Sequence, residues 1–339
     1  GVGDAIMVAF GLAHAYFVWW GDILFFYGVL GLFLFPLRRL AGPTLVAAGL
    51  CLLLIGAGRN LLAAVDVRGV RHAALAANAA AASGATLSEE QKAAQAAWEE
   101  RVKHSKPPEE EIRKETAAYR GSYLDAFRQR AGFLAREQPT VLYHFFIFDI
   151  GGMMLLGIGL LKLGVFSASR SVRYYWILAT LDFGIGLPLA AASVRNDLVS
   201  GFDPATTALS AVGLALARVP IALGHVALGM LIWKAGALRW LTSRLAAVGQ
   251  MAFSCYIMQS LICTTIFYGY GFGLFGRLQR YQLYYVVLGV WVVQLIASPI
   301  WLRHFRFGPL EWLWRSLTYV EIQPMRRQPH APAEQPHVA

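Results

Sequence analysis

Charge is scarce in this sequence: only 15% of its 339 residues are Asp, Glu, Lys or Arg, against roughly a quarter in an ordinary soluble domain. Residues 245–276 and 281–302 carry none, and residues 5–37 carry only Asp22. A helix needs roughly 20 apolar residues to cross a bilayer, so runs of this length exclude a soluble domain. Cysteine is scarce too. Cys51, Cys255 and Cys263 all fall within apolar stretches, which excludes a disulfide framework or a zinc spacing, and no metal site is expected. There is no Walker motif, serine nucleophile elbow or HExxH pair. Gly271, Gly273 and Gly276 spell G-x-G-x-x-G, but they follow an apolar helix, so they predict a glycine-rich turn and no dinucleotide site. Neither a basic leader nor an initiator Met precedes the first apolar run, so no signal peptide is expected and the chain is expected to begin inside a longer protein.

What the sequence has is helix-forming hydrophobicity: 57% of its residues are apolar or aromatic. Backbone polar groups must be satisfied internally in lipid, so the predicted fold is all-α, a polytopic transmembrane bundle of about eight spans. These fall at 5–20, 22–37, 43–62, 140–161, 173–193, 206–233, 245–268 and 281–302. The first two meet at Trp19, Trp20, Gly21 and Asp22, a joint so short that it predicts a tight hairpin or broken helix. The formal charge of +10 lies in short loops, which reads as a topology signal and not as a nucleic-acid footprint. Arg38 and Arg39; Lys162, Arg170 and Arg173; Lys234, Arg239 and Arg244; and Arg303, Arg306 and Arg315 alternate correctly to share one side, expected to be the cytoplasm.

Four regions follow: transmembrane helices over 1–62, a helical extracytoplasmic insertion over 63–139, a transmembrane bundle over 140–320 and a disordered tail over 321–339. In the insertion Ser88 and Gln91 have capping-box spacing, and Pro107-Pro108 ahead of three glutamates is a second helix start. Ile112, Tyr119, Tyr123, Phe127 and Leu134 recur as one apolar stripe, to pack on the bundle or on the membrane surface.

Ionisable groups inside spans are costly and mark functional candidates. They are His14, Asp22, His144, Asp149, Asp182, Arg218 and His225. Arg218 and His225 share a helix face across Pro220, and Arg218 needs an anion: Asp149 or Asp182 in a structural pair, or a ligand group. His14 and Asp22 bracket the joint beside Trp20. A neutral imidazole can take a proton from a hydroxyl or amine while a carboxylate orients it, although Asp22 also suits an N-cap.

The run from Gly249 to Ser260 (GQMAFSCYIMQS), then Phe267-Tyr268-Gly269-Tyr270-Gly271, then Phe305 to Arg315 (FRFGPLEWLWR) resembles the bacterial YeiB family, defined by domain of unknown function 418. Trp20-Gly21-Asp22-Ile23-Leu24 with Tyr27 fits the same family. Gln250 and Cys255 stand where Arg and Asn are expected, and the family's first helix is absent. The family is similar in topology to transmembrane acyltransferases, in which a membrane-embedded His serves transfer from a cytoplasmic acyl-CoA to an acceptor on the far side. That resemblance implies His14 as the catalytic residue; the residues themselves add Asp22 as its catalytic partner, and Trp20, Arg218, His225, Asp182 and Asp149 as substrate-binding candidates. Acyl-CoA would be a co-substrate docked at Arg303, Arg306 and Arg315, which otherwise form an interfacial belt; no tightly bound cofactor is expected. The expected partners are the lipid bilayer of the bacterial cytoplasmic membrane and a small-molecule, lipid or glycan acceptor, with the C-terminus cytoplasmic. A transporter of a small or amphiphilic molecule and a non-catalytic assembly protein are the alternatives.

Overall fold

Breaks in the apolar pattern decide where the helices stop. The computed structural model describes residues 1–327, with the side chains of 137–145 left out, so His144 and the tail from 328 lie outside the described residues. In chain order the helices are α1 (Val2–Phe17), α2 (Leu24–Leu34), α3 (Gly42–Ala82), α4 (Glu89–Ser105), α5 (Glu109–Arg120), α6 (Tyr123–Val141), α7 (Gly151–Lys162), α8 (Val172–Leu181), α9 (Leu187–Val199), α10 (Pro204–Lys234), α11 (Arg239–Gln250), α12 (Ala252–Phe267), α13 (Arg280–His304) and α14 (Pro309–Tyr319). π-helical stretches Leu142–Ile150 and Asp182–Gly186 lead into α7 and join α8 to α9. Among the described residues the β-bridge between Phe305 and Arg326 is isolated and belongs to no strand. The fold is all-α, as the sequence predicts.

Four helical stretches among the described residues are long and apolar enough to cross a membrane: α3, α8 with α9, α10 and α13. A fifth appears if α11 and α12, bent by 87° at Met251, form one broken span. The described residues therefore do not confirm the count of about eight, and the expected span at 140–161 begins outside them. α1 and α2, with 16 and 11 residues, extend only about 24 and 16 Å, short of a hydrocarbon core of about 30 Å. The expected span 245–268 is divided because Met251 leaves helical geometry (φ −114°, ψ 27°) just after Gly249.

Two compact units emerge, each discontinuous in sequence: Gly1–Leu32, Thr116–Ala135 and the chain from Leu238 form one, Phe33–Glu115 and Arg136–Ala237 the other. In the second, α3 and α7 cross at facing glycines. A methyl group on Gly49 would lie 2.7 Å from the Gly152 carbonyl oxygen, and one on Gly159 would lie 2.9 Å from that of Gly42. The backbones meet through small residues, as membrane helices do. Around them Leu156, Leu160, Val165, Tyr175, Ala179 and Ala227 form the buried core. Lys162 Nζ bonds the carbonyls of Arg38 and Leu40 at 2.5 and 2.7 Å, which puts two of the basic loops on one side of this unit. Arg71 and Asp203 pair at the other end of α3. That helix runs unbroken past residue 62 to Ala82, because its alanine-rich continuation has strong helix propensity.

The insertion follows its capping signals. Ser88 and Gln91 bond each other's backbone amides, and α5 starts at Glu109. The stripe from Ile112 to Leu134 does not lie on one helix, because Gly121 and Ser122 interrupt it and Ser122 starts α6 with Asp125 as its partner. The buried positions are Tyr119, Ala126, Arg130 and Leu134, while Ile112 and Tyr123 are exposed. Residues 323–327, expected to be disordered, pair with the end of α13: Arg306 N donates to Met325 O and Arg327 N to His304 O.

Candidate functional site

Gly11, His14 and Ala15 form the buried face of α1, at the i, i+3, i+4 spacing of one helical stripe. Gly11 permits the approach of α2: a methyl group there would lie 2.1 Å from Phe25 N and 2.8 Å from Asp22 Oδ2. With the helices this close, His14 Nδ1 meets Asp22 Oδ1 at 2.8 Å, both side chains almost wholly buried. Asp22 Oδ2 also accepts from Phe25 N at 2.7 Å, the N-cap bond of α2. Cap and imidazole partner are thus one carboxylate.

A third donor completes it. Tyr256 of α12 donates its hydroxyl to Asp22 Oδ1 at 3.3 Å, accepts from Ile23 N at 3.2 Å and sets its ring 5.1 Å from the imidazole. Three donors converge on Asp22, as an ionised carboxylate requires. Nδ1 of His14 then carries the proton, and Nε2 presents its lone pair. Nε2 is buried and has no hydrogen-bond partner.

Beyond His14, Val18 N and Trp19 N both close on the His14 carbonyl at 2.9 Å, which ends α1. The last carbonyls are capped by α6: Tyr123 Oη donates to Phe17 O at 2.8 Å, while Arg130 donates from Nε to Tyr16 O at 3.3 Å and from Nη2 to Phe17 O at 3.2 Å. Trp20 packs between Trp19 and Phe133, with ring centroids 6.1 and 5.0 Å away. It stays partly exposed at the joint.

The remaining candidates are elsewhere. In the second unit Arg218 forms an ion pair with Asp149, not Asp182. His225 gives Nδ1 to Ile221 O at 2.7 Å, and its Nδ1 also lies 3.3 Å from Oδ2 of the fully buried Asp182. Asp182 packs directly on Gly224, where a methyl group would lie 2.0 Å from its Cβ. Arg306 and Arg315 both sit over the ring of Phe307, at 5.5 and 4.8 Å, and Arg303 is exposed on α13. α14 contacts the start of α1, where Trp314 Nε1 donates to Gly3 O at 2.9 Å. From Gly3 to His14 is about 16 Å along the helix axis. Arg315, next to Trp314, and His14 therefore lie toward opposite ends of α1.

An apolar cavity of ≈ 440 Å³ lies between α12 and α13, lined by Met258, Leu261, Ile262 and Trp301 among others. Its α12 residues face away from Tyr256, so it is separate from the imidazole.

Sequence reasoning missed Tyr256 and Arg130. Tyr256 lies within the longest motif, but only tertiary contact shows its partner, 234 residues away. Arg130 did leave a signal. It falls midway between Phe127 and Leu134, a charge on the apolar stripe of α6.

Residues 160–321 match the family described as "Protein of unknown function (DUF418)". The chain is 49% identical over 83 residues to the "Uncharacterized protein YxaH" of Bacillus subtilis, covering 24% of this chain and 21% of that one. A 39.9 kDa protein encoded in the amylase 3′ region of Bacillus acidopullulyticus is 40% identical over 189 residues, 55% of this chain and 46% of its own. No solved structure matches. The likeness to the "Uncharacterized protein YeiB" of Escherichia coli extends through both units, at 30% identity over 319 residues, 92% of this chain and 74% of YeiB; the chain belongs to the YeiB family.

Proposed function

We propose that the protein is an acyltransferase of the bacterial cytoplasmic membrane, which moves an acyl group from a thioester donor to a hydroxyl or amine acceptor. The observation that carries this reading is the buried imidazole of His14, held through Nδ1 by Asp22 with Nε2 unpartnered. Nε2 takes the acceptor proton, and the acceptor oxygen or nitrogen attacks the thioester carbonyl. The carbon–sulfur bond breaks, and the leaving thiolate recovers the proton from the imidazolium. Asp22 orients the ring and stabilises its transient cation. Arg303, Arg306 and Arg315 would hold the phosphates of an acyl-CoA at the cytoplasmic end, and the donor would reach about 16 Å along α1 to His14. The acceptor, a small molecule, lipid or glycan, would enter at the joint of residues 18–23, beside Trp20.

The test is acyl transfer by the protein in liposomes supplied with acyl-CoA. His14→Ala is expected to lower the rate by about 10²–10⁴-fold, the usual contribution of a positioned acid–base group. An unchanged rate would overturn the mechanism. Transport is the second reading, favoured by the Arg218–Asp149 pair and the buried Asp182 beside two π-helical interruptions. Liposome flux without an acyl donor, unaffected by His14→Ala, would select it.

A further inference from the structure

The proton transfer assigned to His14 leaves the most completely buried cation in the molecule unused. Arg130 has no measurable exposure. Its Nε and Nη2 cap the end of α1, and the rings of Tyr123 and Tyr268 lie 5.6 and 5.8 Å from its guanidinium carbon. Those contacts place the guanidinium but do not neutralise it. Nη1 is buried without a hydrogen-bond partner, and among the described residues no carboxylate lies within ion-pair distance. Asp22, whose imidazole partner sits on the same last turn of α1, is already committed to His14, Phe25 and Tyr256. A buried charge without a counter-ion is strongly unfavourable, whereas partial negative charge at a helix C-terminus compensates only part of it. The carbonyls of Tyr16 and Phe17 lie within one turn of His14, so the two buried unpartnered nitrogens, Arg130 Nη1 and His14 Nε2, hang on the same last turn of α1.

We propose that Arg130 binds an anionic group, a phosphate or a carboxylate, on the molecule whose hydroxyl or amine His14 deprotonates. The planar guanidinium keeps one edge on the protein and offers another to the ligand, and an oxyanion there receives a charge-assisted hydrogen bond. The acceptor is then an anionic amphiphile or a phosphorylated or carboxylated small molecule, not a neutral alcohol. The inference rests on the acyltransferase reading for the role of His14, but the anion site itself does not.

The experiment is thermal unfolding of the delipidated full chain in detergent. It is titrated separately with inorganic phosphate, acetate, short-chain phosphatidylglycerol and short-chain diacylglycerol, at constant ionic strength. The expected result is a saturable rise in Tm with at least one anion and none with diacylglycerol. That response should weaken tenfold or more in Arg130→Gln, persist more weakly in Arg130→Lys and survive intact in His14→Ala. Response to phosphate or acetate identifies a soluble anionic group, and response to phosphatidylglycerol alone identifies a lipid headgroup. If Arg130→Gln does not fold, the wild-type and Arg130→Lys titrations decide. No anion response in wild-type, or equal responses in wild-type and the folded Arg130 variants, would overturn the site. A preserved anion response with His14→Ala fully active removes the acyltransferase reading alone. Loss of transfer in His14→Ala without any Arg130-dependent binding removes this inference alone.

Discussion

In the unit that contains His14, the guanidinium of Arg130 rests on two backbone carbonyls and two tyrosine rings; in the other, Arg218 rests on Asp149. The chemical difference is the carboxylate. Asp149 and Arg218 neutralise each other, with Asp149 17% and Arg218 35% exposed at the side chain, so their pairing needs nothing further. Beside the last turn of α1 the carboxylate of Asp22 belongs to an imidazole and a helix cap, and among the described residues Arg130 has no carboxylate within ion-pair distance. A self-contained ion pair is ordinary bundle glue. An imidazole with a free lone pair one turn from an uncompensated arginine is an arrangement that a ligand completes. Depth of burial ranks the same way, since both Arg130 and His14 are shielded more than Arg218 and His225.

The largest expected effect separates the two roles of Asp22. Asn caps helices nearly as well as Asp, so Asp22→Asn keeps the bond from Phe25 N and the start of α2. Its amide can donate to Nδ1, however, which moves the imidazole proton to Nε2 and removes the base. The expected loss in acyl transfer is about 10²–10⁴-fold, or about 3–5 kcal/mol of transition-state stabilisation, with unfolding temperature nearly unchanged. Equal activity in Asp22→Asn would reduce Asp22 to a cap.

Next comes the paired arginine. Arg218→Met alone strands the Asp149 carboxylate, and the partial exposure of the pair brings the expected cost to about 1–3 kcal/mol, below the 3–5 kcal/mol of a fully buried pair. Joining it with Asp149→Leu should recover most of that loss. The cycle measured by thermal unfolding in detergent should therefore show strong coupling. The same cycle on Arg130 and Asp22 should be additive within about 0.5 kcal/mol, as expected of groups that share no bond. Strong coupling there would make Asp22 the missing counter-ion and end the contrast between the units.

These two pairs also show what the sequence discloses. His14 and Asp22 are eight residues apart across a visible joint, so their meeting was legible, as was the need of Arg218 for an anion. Which aspartate it chose was not, because Asp149 and Asp182 are equivalent in a one-dimensional pattern. Helix caps were legible from a few residues each, since Ser88 and Gln91 act locally. The end of α3 was not, since hydrophobicity falls at residue 62 while helix propensity continues to Ala82. Nor was the bend at Met251, where the apolar run passes through without interruption. Tyr256 lay in plain view inside a motif, but its hydroxyl gains meaning only from a carboxylate 234 residues away.

The smallest expected effect distinguishes the units at their surfaces, where each starts a helix with a serine box of different chemistry. Ser88 is answered by neutral Gln91, and Ser122 by Asp125. The hydroxyl and backbone amide of Ser122 hold the Asp125 carboxyl below its ordinary value of 3.8. A carboxyl with a depressed folded-state value contributes stability that is fully present above its unfolded value and is lost as pH falls through the depressed one. Acidification from about pH 5 to below pH 3 should therefore loosen the first turn of α6, while the first turn of α4 keeps its cap because Gln91 does not titrate in that range. Amide protection factors, already normalised for the intrinsic effect of pH on exchange, give the comparison: those at Asp125 and Ala126 should fall relative to those at Gln91 and Lys92. Asp125→Asn should abolish the difference, because an amide keeps the acceptor and loses the titration. A parallel fall at both turns would mean that acid is unfolding the insertion as a whole and that the two boxes hold their helices equally.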